Sequence, residues 1–417
     1  MANQNDGGYA SERSAFGGLM LSTISGVQDT ARTALAEYGI TDAEQVLALA
    51  ALPDVRPNLE KALGKTDLDK LLAELRSNVG DMAAAAAEAP VPGTLGLGAM
   101  EPSPEMVAEM QSMMVAGPGD AVALPGNINH ALSMSPIRNQ GSRGTCVAFA
   151  MTAMHEFYRS KTGFPNDFSE QWLYHRTKAI DGSAGCGTWA VKAAQILSNE
   201  GECREAIWAY NPSPPCNNNG AMPANAMADA ARFKVPTVVL NPKDVNAIKA
   251  ALASGCTCEF SIPVWNSWYS SAATRNTGRI TMKLPGDAQA GGHAMCFIGY
   301  QDDAGSPGGG FFILRNSWGT GWGATCPYGA GNGTIPYQYI ANDGWEAVTT
   351  IVPRRRWLPD WREWRVRPLP FDPRPFDPRP FEPRPFDPRP FGEEGDGGPI
   401  PRRTILIEDG DADIIIR

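Results

Sequence analysis

The chain has 417 residues, 43% of them hydrophobic, with a formal charge of -9. That is enough apolar material for a substantial core and for more than one folding unit. The negative balance argues against a dominant nucleic-acid or anionic-membrane surface, and no run of 18 apolar residues reads as a membrane span. The opening MANQNDGGYASERSAFGGLM lacks the basic and apolar regions of a secretory signal. Cytoplasmic synthesis is the default expectation, although a specialised export route would leave no trace here.

Residues 1–79 read as a small helical accessory domain after a loose, polar start. VQDTARTALAEYG (27–39), DAEQVLALAAL (42–52), PNLEKALG (57–64) and TDLDKLLAELRSNV (66–79) have helical apolar spacing. Thr66 is the expected N-cap of the fourth helix, with Asp69 closing a capping box. Residues 80–130 change character. AAAAAEAPVPGTLGLGAMEPSPEM is rich in alanine, proline and glycine and reads as a linker, with VAEMQSMMV (107–115) adding a short helix. Its position just ahead of the next domain also suits an inhibitory leader lying across a cleft.

Residues 131–350 carry the informative sequence. CVAFAMTAMHEFYRSKTG (146–163), SEQWLYHRTKA (169–179) and TWAVKAAQILSNEG (188–201) read as helices. KVPTVVL (234–240), TCEFSIPV (257–264), HAMCFIGYQ (293–301) and GFFILRNSW (310–318) read as strands. Helices followed by strands predict an α+β domain in two parts. Residues 351–400 contain FDPRPFDPRPFEPRPFDPRPF, a five-residue repeat whose prolines favour extended chain. Its regularly spaced phenylalanines call for a surface to pack on, in this chain or in a protein partner, with a solvated spacer as the alternative. Residues 401–417 read as a short β-hairpin, marginal alone and expected to add to a sheet here or in a partner.

Acyl transfer by a thiol needs a nucleophile, a nearby imidazole, a group orienting that imidazole, and donors facing the developing oxyanion. Cys146 lies at the start of a helical pattern, where the helix N-terminus favours a thiolate. Gln140 lies six residues upstream, and its amide and the Cys146 backbone N–H are the candidate oxyanion donors. The chain has only four histidines. His293 begins an apolar strand-like run after two glycines, whereas His155 and His175 lie within helical patterns and His130 in the leader region. Asn316, in FFILRNSWGTGWG, is placed to orient the His293 ring, and Trp318 to shield that bond from water. Each residue taken alone has a bland reading as a core or turn residue.

The eight cysteines lie between 146 and 326. Without an export signal, mostly free thiols are expected. The Cys256/Cys258 pair has neither a matching second pair nor a nearby histidine, so no metal site is expected.

NQGSRGTCVAFA, GGHAMCFIGY and ILRNSWGTGWG together resemble the three signature blocks of papain-like cysteine peptidases. They occur in the family's order, with His293 lying 147 residues after Cys146. The resemblance covers roughly residues 131–350 and extends to GCGTWAVKAAQILSNEGECREAIWAY, which is similar to bacterial members. It implies a two-lobed fold with a helical lobe and a β-barrel-like lobe, and a cleft for extended peptide between them. It implies Cys146 as nucleophile, His293 as base, Asn316 as orienting amide, Gln140 in the oxyanion hole and Trp318 over the Asn–His contact. Gly187 and Trp189 become candidates for binding non-primed substrate residues. The implied reaction is endopeptidase hydrolysis of a peptide or protein substrate, with no metal or organic cofactor. A retired protease fold serving as a scaffold, and a peptide ligase using the same dyad, are the alternatives.

Two departures concern the cleft wall. Arg143 stands where papain-like enzymes often have cysteine, so a familiar disulfide is absent and Cys186 is expected to be unpaired. Val147 replaces a common tryptophan. The long helical inhibitory propeptide signature of the family is not evident in residues 1–130.

Overall fold

A computed structural model describes residues 12–79, 95–114, 123–163 and 166–351. The readings of a Pro-rich repeat and a C-terminal hairpin therefore lie outside the described residues, apart from residue 351. Among the described residues, no helix is long and apolar enough to cross a membrane.

The first four helices form where apolar spacing predicts them: α1 (Asp29–Ala36), α2 (Ala43–Ala50), α3 (Arg56–Leu63) and α4 (Leu68–Val79). Their inward stripes, including Leu35, Val46, Leu59 and Leu75, share one core. The cap of α4 differs from expectation. Asp67 Oδ1 accepts from Lys70 N at 3.1 Å, while Thr66 N is used to close the preceding turn on Leu63 O. The complete capping box belongs instead to α2, between Asp42 and Gln45. The four helices are seated on the neighbouring layer rather than isolated. Leu284 joins their core, and Arg279 Nη1 donates to the buried Asp42 at 3.1 Å.

The rest of the described chain runs α5 (Pro104–Met113), β1 (Asn127–Asn129), α6 (Cys146–Lys161), α7 (Glu170–Ile180), α8 (Ala190–Asn199), α9 (Ala226–Ala230), β2 (Thr237–Val239) and α10 (Val245–Ala253). It continues with β3 (Cys258–Trp265), α11 (Asn266–Tyr269), α12 (Ala272–Thr277), β4 (Gln289–Asp302), β5 (Gly310–Arg315), β6 (Asn332–Pro336), α13 (Tyr337–Asp343) and β7 (Glu346–Thr350). The strands form one antiparallel sheet in the order β2-β7-β3-β4-β5-β6, with β1 pairing the far end of β4.

Strand alternation divides two cores across this sheet. Ala294, Cys296 and Ile298 of β4 face the helices α6, α7 and α8. Met295 and Phe297 face the other way, where Phe297 stacks between Phe260 and Phe312. Helix α6 is apolar nearly all round, and every residue from Cys146 to Tyr158 is buried, as a helix at the centre of a two-layer packing must be. The α+β, two-lobed expectation holds. The barrel-like lobe does not close, because β2 and β6 never meet. Other chain covers their edges: Met114 bridges Val239 of β2, and Arg279 bridges Thr334 of β6.

Candidate active site

Four separate pieces of chain converge where α6 begins. Cys146 is its first residue, and the 140–144 turn precedes it. His293 comes from β4, and Asn316 from the turn after β5. Asn316 Oδ1 accepts from the Ser317 backbone N–H at 2.7 Å, which fixes which end of the amide is oxygen. The same oxygen lies 2.8 Å from His293 Nε2. Nε2 must therefore be the protonated nitrogen, leaving Nδ1 of the neutral ring with its lone pair. Trp318 stacks on the imidazole with centroids 4.3 Å apart. Ser317 Oγ donates to Gln140 Oε1 at 2.6 Å, so the Gln140 amide also has one orientation, with Nε2 as its donor end.

The cleft is occupied by the chain itself. Residues 95–101 run through it, bonded on both sides. Gly96 N donates to Gly141 O, Ala99 N to Gly292 O at 3.1 Å, and Met100 N to Thr188 O, while Thr188 N returns a bond to Gly98 O at 2.9 Å. This is a parallel pairing of Ala99 with Thr188. Gly96 O accepts from both Gln140 Nε2 (3.1 Å) and Trp318 Nε1 (3.2 Å). Helix α5 anchors the segment further along, with Met110 packed on Val191 and Val239, and Glu109 paired with Lys192 at 2.9 Å.

Two glycines permit this close approach. A Cβ on Gly96 would lie 2.2 Å from Arg143 O, and one on Gly98 would lie 2.1 Å from Gly144 O.

Under this cover Cys146 and His293 are both 0% exposed. Burial pushes the Cys146 thiol up to about 11, against the pull of backbone N–H groups of Ala294, Gly98 and Val147 that face the sulfur. Burial also holds the His293 imidazole down to about 4, with the Asn316 bond opposing. Its Nδ1 has no hydrogen-bond partner among the described residues. Both groups are therefore un-ionised at neutral pH. The Gly98 N–H faces the sulfur and also donates to Gly292 O at 3.0 Å.

Comparison with known proteins bears on this arrangement. The model of the papain family cysteine proteases matches residues 126–329. The chain carries a papain-family peptidase domain. It is 27% identical over 214 residues to an uncharacterized peptidase C1-like protein, L477, of Acanthamoeba polyphaga mimivirus, covering 49% of this chain and 65% of that one. Ananain of Ananas comosus is 30% identical over 194 residues, covering 46% and 50%. The matches thus span between half and two thirds of these relatives' lengths. Xylellain, a cysteine protease from Xylella fastidiosa, shares the fold with a TM-score of 0.52 at 24% identity, covering 64% of this chain and 99% of that one.

Against the papain family pattern, the cleft wall is braced in its own way. Cys186 is not unpaired, as the loss of a cysteine at 143 had suggested. It forms a disulfide with Cys216, with Cα atoms 5.5 Å apart. The partner comes from the 211–219 loop, and Arg143 holds the same loop. Its buried guanidinium donates to Cys216 O (2.8 Å), Asn219 Oδ1 (2.9 Å), Gln171 Oε1 (2.9 Å) and Asn211 O, between the rings of Tyr174 and Tyr210. Replacing Arg143 with methionine strips the Cys216 and Asn211 carbonyls of this donor, while Gln171 Oε1 and Asn219 Oδ1 keep Asn211 N and Gln171 Nε2. It is expected to destabilise the domain by on the order of 3 kcal/mol, read as a lower urea midpoint at unchanged slope; an unchanged midpoint would refute the clasp.

Both weaker binding candidates lie on this papain-type wall, against the leader. Gly187 faces Met100, and Trp189 Nε1 donates to Glu101 O at 3.3 Å. The residue between them, Thr188, supplies the backbone bonds and was not singled out from sequence. Lys178 Nζ holds this edge in place through Asp181 Oδ2, Ser183 O and Gly187 O. Ser317 was also missed, although its place inside the RNSWG block was a usable signal.

Proposed function

We propose that the chain is a latent thiol endopeptidase, with Cys146 as nucleophile, His293 as base and residues 95–101 as its inhibitory leader. The observation that carries the reading is the fixed Asn316 amide. It leaves His293 Nδ1 as the basic nitrogen, one residue from the Ala294 N–H that faces the Cys146 sulfur.

With the leader displaced, His293 Nδ1 takes the thiol proton and the sulfur attacks a peptide carbonyl carbon. Gln140 Nε2, released from Gly96 O, and the Cys146 N–H receive the oxyanion. The imidazolium passes its proton to the leaving amine. Water, deprotonated by His293, then cleaves the thioester and restores the thiol. Thr188 offers its N–H and C=O for pairing with an extended peptide.

A chain with its leader displaced is expected to gain one adduct by intact mass with a broad epoxide inhibitor of papain-like enzymes. The same chain carrying Cys146→Ala should gain none and lose peptide cleavage by at least about a thousandfold. A Cys146→Ala protein that still cleaves at the parent rate would sink the assignment. Complete burial of Cys146 also suits the scaffold alternative, in which the cleft never opens. Absence of an adduct under every leader-displacing condition would favour that reading.

A further inference from the structure

Ala294, Asn316 and Ser317, together with Glu156, Glu170 and Arg315, line a cavity of about 10 Å³. That volume is just enough for one water molecule. Asn316 Nδ2, on a residue only 2% exposed, has no hydrogen-bond partner among the described residues. A buried amide donor left unpaired is costly, and Asn316 cannot rotate to relieve it, because Ser317 N–H and His293 already hold its oxygen.

The other polar groups lining the cavity are committed elsewhere. Glu156 accepts from Ser135 Oγ with one oxygen and from Phe168 N with the other. Arg315 donates to Ser135 O and Pro136 O. Arg138 pairs with Asp167, and Ser317 Oγ with Gln140. The Glu170 carboxyl accepts from its own backbone N–H and keeps further acceptor capacity for a water there.

We infer that this cavity holds an ordered water that accepts from Asn316 Nδ2 and donates to Glu170, making Glu170 a positioning residue that acts through Asn316 on His293. Burial pushes the Glu170 carboxyl up to about 8, so it is uncharged at neutral pH and glutamine is its close mimic. The inference rests on the reading that Asn316 orients His293, but its test needs no turnover and uses the latent full chain.

Two measurements decide it. A high-resolution crystal structure of the full chain is expected to show a water within hydrogen-bond distance of both Asn316 Nδ2 and a Glu170 oxygen. An empty site, or a different acceptor on Nδ2, would overturn the proposal. In ¹H–¹⁵N spectra, the Asn316 side-chain amide and the His293 Nε2–H can be assigned by their loss in Asn316→Ala and His293→Gln. Solvent exchange of the Nε2–H is expected to speed up in Glu170→Leu and to return to near wild type in Glu170→Gln. Unchanged signals in Glu170→Leu would overturn the positioning role. If Glu170→Leu fails to fold, the wild-type water and the Glu170→Gln spectrum still decide, since a shifted Nε2–H in Glu170→Gln contradicts the mimicry. A chain that proves inactive as a peptidase while passing both tests would refute the proposed function and leave this inference standing.

Discussion

Gly98→Val in the full chain should raise the rate at which an epoxide inhibitor labels Cys146 by roughly 5- to 150-fold. The leader lies so close to the 143–144 backbone that a Cβ at Gly98 would sit 2.1 Å from the Gly144 carbonyl oxygen. The obstacle is main chain, held by the turn that delivers Cys146 to α6, so it cannot swing aside as a flexible side chain would. The leader must lift. Overpacking of this kind costs typically about 1–3 kcal/mol, and each 1.4 kcal/mol is a factor of ten in population. Lifting also releases Gly96 O from Gln140 and Trp318, so the oxyanion donor is freed together with the sulfur. Gly96→Val should act in the same direction, because its Cβ would lie 2.2 Å from Arg143 O. Neither glycine has a positive φ, so the effect should come from contact with the wall and not from backbone strain. The control is a valine at Gly126, where an added Cβ meets nothing within 4 Å; its labelling should match wild type. Labelling of Gly98→Val no faster than wild type would mean that the 95–101 segment does not govern access to Cys146.

This segment is also where reading the sequence stopped short. PVPGTLGLGAM is rich in proline and glycine, which in isolation signals a flexible connection. In the folded chain Gly96 and Gly98 serve the opposite purpose, since they let one backbone lie against another. Composition cannot separate the two uses, because the deciding contacts are with residues more than forty positions away. Cys146, Gln140, His293 and Asn316 were legible for a complementary reason. Cys146 opens α6, Gln140 precedes it in the turn, His293 lies within β4 and Asn316 in the turn after β5, each inside a block whose neighbours are themselves constrained, so the chemistry and the local geometry leave the same trace. The disulfide was not legible. Cysteine pairing depends on which loops meet in space, and the 211–219 loop that carries Cys216 is bonded to the wall by Arg143 and Gln171. The sheet was read as strands without its closure. β6, α13 and β7 follow one another within twenty residues, and segments that short do not reveal whether the last strand returns to the first edge or, as here, inserts between β2 and β3.

Acid should weaken the latch. The ratio of Cys146 labelling in wild type to that in Gly98→Val is expected to rise as pH falls below about 6.5. Where Gly98→Val leaves the leader lifted in most molecules, the variant reports the intrinsic reactivity of the open site at each pH, and the ratio isolates leader opening. The sign follows from proton binding. With the leader in place, burial holds His293 down to about 4 from an ordinary 6.5. Between those values the open form carries a proton that the closed form does not, so lowering the pH favours opening. At pH 5, with the open imidazole at its ordinary value and the thiol still protonated, the shift is about thirtyfold. The Glu109–Lys192 pair that anchors α5 adds to the same trend. Lys192 holds the Glu109 carboxyl below its usual range, so the stabilisation it gives is lost as pH falls through that lowered value. Cys146 acts at the other end. Its thiol is raised from 9.0 to about 11 in the closed form, so the open form loses a proton first as pH rises above 9, and opening is favoured again. Latency should therefore be tightest between about pH 6.5 and 9 and weaken on both sides. A ratio that stays flat from pH 8 down to pH 5 would mean that His293 is as well solvated with the leader in place as without it, and would remove the physical basis for a closed resting state.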